Sequence, residues 1–199
     1  MTIDVNLCDA DEDFFDNLDD IMEDSMVQMF FIHPTTPREI TEAKKIAGEY
    51  GSIFYSLPLH LSDQADENCI AYSVVDEQDR ALLPTTQKPL VIDESYLNET
   101  LRSLLADCRG VILNATHENS ELPNFLLALG AGTIGAFDTE SLNKLSMDRL
   151  VLQSTYPTHG FEEIAGAVKV ISDAMLRPEQ SIIARATKSS LELFGFRKS

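Results

Sequence analysis

Apolar residues in this chain alternate between two patterns. Short, nearly continuous runs at Thr2 to Leu7, Val27 to Ile32, Ser52 to Leu57, Cys69 to Val75, Pro89 to Ile92, Val111 to Leu113 and Leu150 to Leu152 predict strands, the last of them covered on both faces. Gly132 to Phe137, taken as the seventh in chain order, completes a set of eight. Between them apolar positions recur at helical spacing. Phe14, Phe15, Leu18, Ile21 and Met22 mark a helix over Asp11 to Asp24, and Ile40, Ala43, Ile46 and Ala47 mark another. The latter begins at Thr36-Pro37-Arg38-Glu39, with Thr as cap, Pro at the first helical position and an acid in the first turn. Further helices are predicted through Leu97, Leu101, Leu104 and Leu105 up to Cys108-Arg109-Gly110, over Leu122 to Leu129, over Phe161 to Met175 and over Ser181 to Phe194. The connector from Asp76 to Lys88 has few periodic apolar residues, so a helix there is short or missing.

Strands alternating with helices predict a single α/β domain over residues 1–199, a compact TIM-like (β/α) barrel, with an open doubly wound sheet as the alternative. No apolar run reaches the roughly 18 residues needed to span a bilayer. Three cysteines without CxxC spacing and an acidic N-terminus point to reduced thiols and a cytoplasmic address. The formal net charge of −18 disfavours nucleic acid as a partner, because such a surface repels phosphates. It does not say which protein or small molecule is bound instead.

Several segments carry a more specific signal. Asp148-Arg149-Leu150-Val151-Leu152-Gln153-Ser154-Thr155-Tyr156-Pro157 is a turn, a buried strand and a polar tip. Ile3-Asp4-Val5-Asn6-Leu7-Cys8, Lys88-Pro89-Leu90-Val91-Ile92-Asp93, Gly110-Val111-Ile112-Leu113-Asn114 and the closing Ala186-Thr187-Lys188-Ser189-Ser190-Leu191-Glu192-Leu193-Phe194-Gly195-Phe196 accompany it. Together they resemble the TatD-like metal-dependent hydrolases, deoxyribonuclease-type members of the amidohydrolase-like barrels. In that family the corresponding segments read Asp-Arg-Leu-Leu-Leu-Glu-Thr-Asp-x-Pro, Ile-Asp-x-His-x-His, Lys-Pro-Val-Val-Ile-His, Gly-Val-Ile-His-x-Phe and Thr-x-Asn-x-x-Arg-Leu-Phe-Gly. The resemblance implies a barrel that carries divalent metals on histidines and carboxylates at its strand tips.

The departures from that pattern fall on the implied ligands. Asn6 and Cys8 replace the first histidine pair, Asp93 a third histidine, Leu113 or Asn114 a fourth, and Thr155 the aspartate of the eighth strand. Tyr72 or Ser73 stands where the glutamate belongs, while His60 lies near the family's Gly-x-His-Pro turn. A hydrolytic metal needs several fixed N or O ligands to lower the pKa of its water. The expectation is therefore a pseudoenzyme: no cofactor, no metal, and a binding or regulatory pocket at Asn6, Cys8, His60, Tyr72, Asp93, Asn114 and Thr155. The alternative is a hydrolase with a rearranged site, for which Cys8, His60 and Asp93 would suit zinc if they converge, or a metal-free one using Ser154 with His159. His117 and His159 read as solvated loop histidines, and Gly130-Ala131-Gly132-Thr133-Ile134-Gly135 reads as a turn, since it does not lie between strand and helix.

Overall fold

The computed structural model describes residues 2–7, 17–24, 27–83, 86–154, 158 and 160–196. Eight parallel strands close into a barrel in chain order. They are β1 (Thr2–Leu7), β2 (Val27–Ile32), β3 (Ile53–Pro58), β4 (Cys69–Ser73), β5 (Leu90–Asp93), β6 (Gly110–Leu113), β7 (Phe125–Leu129) and β8 (Leu150–Leu152). Closure comes from β1 pairing with β8, where Asp4 registers with Leu152, and this pairing rules out the open sheet.

The helices are α1 (Leu18–Asp24), α2 (Pro37–Glu49), α3 (Glu77–Leu82), α4 (Glu99–Leu104), α5 (Thr139–Lys144), α6 (Glu162–Met175) and α7 (Glu179–Phe194). α2 starts at Thr36, the expected cap, and the structure adds a capping box: the Thr36 hydroxyl accepts from the Glu39 amide while the Glu39 carboxylate accepts from that of Thr36. α3 is the short helix of the thin connector. Residues 11–16 of the first expected helix lie outside the described residues. Among the described residues, no helix is long and apolar enough to cross a membrane.

One stretch departs from the sequence pattern. Leu122 to Leu129 is not a helix; Phe125–Leu129 is β7, and the run expected as the seventh strand is a turn leading into a 3-10 segment at Ile134–Ala136. The turn is tight: the Gly130 amide donates to Thr133 Oγ1 at 3.0 Å, and a Cβ on Gly130 would run into the Gln153 carbonyl. That close approach accounts for the glycine.

Alternate strand residues divide between two apolar layers. Leu90, Ile92, Ile112, Leu127, Leu129, Leu150 and Leu152 pack outward with helix residues such as Ile40, Leu101, Ile164 and Ile171. Val91, Val111, Leu113, Ala128 and Val151 fill the interior with Ile3, Val5, Phe31 and Ala71. At the N-terminal ends of the strands, the end of α7 plugs the barrel. Phe194 meets Phe31 edge-on at 4.5 Å between ring centroids, and Phe196 meets Phe54 at 4.5 Å. The interior thus closes below in aromatic rings and opens above in polar strand tips, where barrels of this kind place their sites.

Candidate functional site at the barrel mouth

Just past β8, Gln153 is fully buried and joins three strand ends. Its Oε1 accepts from the backbone N–H of Asn114 at 3.1 Å and from Asn6 Nδ2 at 3.4 Å, and its Nε2 donates to Asn114 Oδ1 at 2.9 Å. A backbone amide can only donate, so it fixes which end of the Gln153 amide is oxygen. The Asn114 side chain must then offer its oxygen to Gln153, which leaves Nδ2 to donate to Asp93 Oδ2 at 2.6 Å. Asn114 itself sits at φ 52, a left-handed conformation that asparagine tolerates better than most residues. Asp93 Oδ1 accepts from the Ser95 N–H at 2.9 Å and from its hydroxyl at 2.5 Å.

Beside this chain of amides stands His33, at the tip of β2. Its Nε2 lies 2.6 Å from the Val5 carbonyl and its Nδ1 lies 3.0 Å from Ser56 Oγ. Since a carbonyl only accepts, Nε2 carries the proton and Nδ1 accepts from the hydroxyl. Burial pushes the His33 pKa down to about 4, so the ring is neutral near pH 7. Asp4 is buried on the seam between β1 and β8, and burial raises its pKa against hydrogen bonds that favour the ionised form. Those bonds come from the Ser154 hydroxyl and from the N–H groups of Asn6 and Ser154, the last two at 3.0 Å.

Ser73 completes the mouth. Its neighbours in register are Pro58 on β3 and Val91 on β5, and with Ala71 and Val91 turned inward it points into the barrel, one rung below Asp93. It is 4% exposed, and its hydroxyl has no hydrogen-bond partner.

Of the residues singled out in the sequence, Asn6, Asp93 and Asn114 are brought together here through Gln153. Cys8 and Thr155 lie outside the described residues, as does His159. His60 belongs to a separate group. Its N–H and its Nδ1 lie 2.7 and 2.9 Å from Asp79 Oδ1, and Asp79 Oδ2 accepts from the Val75 N–H at 2.8 Å. The fully buried Asp79 thereby ties the segment after β3 to the one after β4. With Asp76 these residues offer ligand atoms within 4.8 Å of one another, the arrangement among the described residues that could hold a metal ion. Tyr72 packs with the outer layer, and Lys88 Nζ sits 5.4 Å from its ring centroid. His117 is exposed and near the Ala136 carbonyl. His33, Ser56 and Ser73 are the mouth residues the sequence reading passed over. A histidine immediately after a predicted strand was the available signal for the first; two small hydroxyl residues carry none.

No protein-family model matches the chain, and no curated protein matches it. Solved structures do. YjjV, a TatD homologue from Escherichia coli K12, is 12% identical, with a TM-score of 0.71 and 98% of each chain covered. A TatD family hydrolase from Entamoeba histolytica is 11% identical, with a TM-score of 0.72 over 96% of this chain and 97% of that one. A dihydroxybenzoic acid decarboxylase from Polaromonas sp. JS666, solved with manganese and 2-nitroresorcinol, is 10% identical with a TM-score of 0.66 over 100% of this chain and 98% of that one. What the chain shares with these proteins is their fold, the TIM-like barrel of the TatD and amidohydrolase-like hydrolases.

Proposed function

We propose that this chain is a catalytically degenerate member of that structural group, with a binding or regulatory role at the barrel mouth in place of metal-dependent hydrolysis. The observation that carries the reading is the amide chain Asn6–Gln153–Asn114–Asp93. A hydrolytic metal centre needs imidazole lone pairs and carboxylates directed at one point. Here the described residues at the mouth offer neutral amides bonded to one another, two carboxylates, Asp93 held by Asn114 and Asp4 held by Asn6 and Ser154, and a histidine whose two nitrogens are turned to Val5 and Ser56. That donor set does not fit the family's metal centre.

The test is elemental analysis of protein purified without chelators, alongside a phosphodiesterase assay with added manganese or zinc. The reading expects no stoichiometric metal and no activity. Stoichiometric metal, with activity that Asp93→Ala abolishes, would overturn it. A second reading, a hydrolase with a displaced centre, draws on His60, Asp76 and Asp79. It requires metal that is lost in His60→Ala and kept in Asp93→Ala.

A further inference from the structure

α6 lies on the outside of the barrel, with Ile164, Ala167, Val168 and Ile171 turned to the core. Its other face holds Glu162, Gly166, Lys169 and Asp173, spaced four, three and four apart and all exposed. Leu176 continues the row just past the last turn. Three residues on or beside this row are poorly suited to a chain that stands alone. Gly166 sits mid-helix, where glycine is a weak helix former, and a Cβ there would meet nothing within 4 Å. Val170 is 48% exposed and Leu176 86%. Leu176 also has φ 51, a left-handed conformation that glycine adopts at helix ends without the steric cost leucine incurs. The corner around it is fixed: the Arg177 N–H donates to the Ser172 carbonyl at 3.1 Å, and Ser172 Oγ donates to the Arg177 carbonyl at 2.5 Å. A large apolar side chain is thus held out into water in one place.

Charge decides what can cover this face. With a net charge of −18, two copies of the chain repel one another over most of their surface. Residues 164–196 are the exception, since Lys169, Arg177, Arg185 and Lys188 there stand against Asp173, Glu179 and Glu192. Within the row the charges are Lys169 and Asp173, and neither forms an ion pair among the described residues. We infer that α6 is the docking face for a second copy of this chain, the two helices packing antiparallel about a twofold axis level with Ile171. That axis sets Lys169 opposite the partner's Asp173, twice by symmetry, and Leu176 over the partner's Gly166, where the missing side chain leaves room. Moving the axis to Lys169 or to Asp173 would set like charges face to face, so one register satisfies both the charges and the shape. A single helix pair stands at the low end of interface sizes, so the dimer is expected to form reversibly in the micromolar range.

The experiment is sedimentation velocity on the whole protein over a concentration series at physiological salt. The average mass should rise reversibly towards twice that of one chain. Lys169→Glu and Asp173→Lys should each weaken association at least about tenfold, because each sets like charges opposite one another at two places. Mixed in equal amounts, the two variants should associate again, since every charge then meets its opposite across the heterodimer. Leu176→Gly should also weaken association, yet raise the melting temperature of the dilute, monomeric protein by placing glycine at the left-handed position. All three side chains are exposed, so the variants keep the fold. A single-chain mass at every concentration would overturn the dimer. So would association that the charge reversals or Leu176→Gly leave unchanged, or a mixture that associates no better than its components. None of these outcomes bears on metal content or hydrolysis, so the non-catalytic reading of the mouth stands or falls separately.

Discussion

The two ends of the barrel are built on opposite principles. At the lower end Phe31 meets Phe54 and Phe194 edge-on while Phe196 packs on Phe31 and Phe54, and the Arg149 guanidinium donates to the carbonyls of Ser120, Leu122 and Phe125 at 2.7 to 3.1 Å. At the upper end an orphan hydroxyl, a left-handed asparagine and a half-buried neutral imidazole sit together. Both ends leave a buried hydroxyl unpaired, Thr2 Oγ1 below and Ser73 Oγ above, but the lower end gains from aromatic burial where the upper end gathers polar groups. Stability is thus supplied at one end and spent at the other, as expected when a scaffold carries a site that is not chosen for stability.

Substitutions at each end can break this contrast. The largest effect is expected for Phe31→Ala in the aromatic plug, a loss of about 4 kcal/mol in urea unfolding; a loss below about 1 kcal/mol would mean the plug is loosely packed. Gln153→Leu keeps the volume but strands the Asn114 N–H and removes the donor to Asn114 Oδ1, and should cost about 3 kcal/mol. The pH response should come next. His33 is neutral in the fold with its pKa near 4, whereas the unfolded chain takes up its proton near 6.5. The native state therefore binds fewer protons in that window, and stability falls as pH drops from 6.5 towards 4, by about 2 kcal/mol for a partly exposed ring. Asp4 acts with the other sign, since its raised pKa favours the fold while protonated and that contribution is lost as pH rises. Comparing wild type with His33→Gln isolates the histidine: the variant's unfolding free energy should be flatter across this window. Smallest is Ser73→Ala, expected to gain about 1 kcal/mol by removing an unpaired buried hydroxyl. A loss there would show that the upper end is tuned for stability as well.

Most of the barrel could be read from apolar runs because each strand is bounded by polar or turn residues. The failure at Leu122 to Leu129 has a physical cause. Leu122, Phe125, Leu126 and Leu129 fall at helical spacing, with Pro123 where a helix would start. A strand buried on both faces loses its two-residue alternation, so Phe125–Leu129 shows no pattern that separates it from a buried helix. At the site, Asn6, Asp93 and Asn114 were legible because they stand at strand tips where a family pattern assigns ligands. His60 stood out for the same reason, yet its interactions run to Asp79, set by chain geometry that no spacing reveals. Ser56 and Ser73 could not be found, because a hydroxyl facing a barrel interior looks in the sequence like any strand serine.

The seam between β1 and β8 has a consequence for how the protein is made. Asp4 registers with Leu152 and holds Ser154, partners 148 and 150 positions later in the chain, and α7 then packs across both strands. A chain leaving the ribosome must keep the free edge of β1 unpaired until nearly all of the strands have been synthesised, at roughly 5 to 20 residues per second. For those seconds the growing sheet is an open template for other exposed edges. Contacts this distant in sequence also make ring closure the slow, late event of folding.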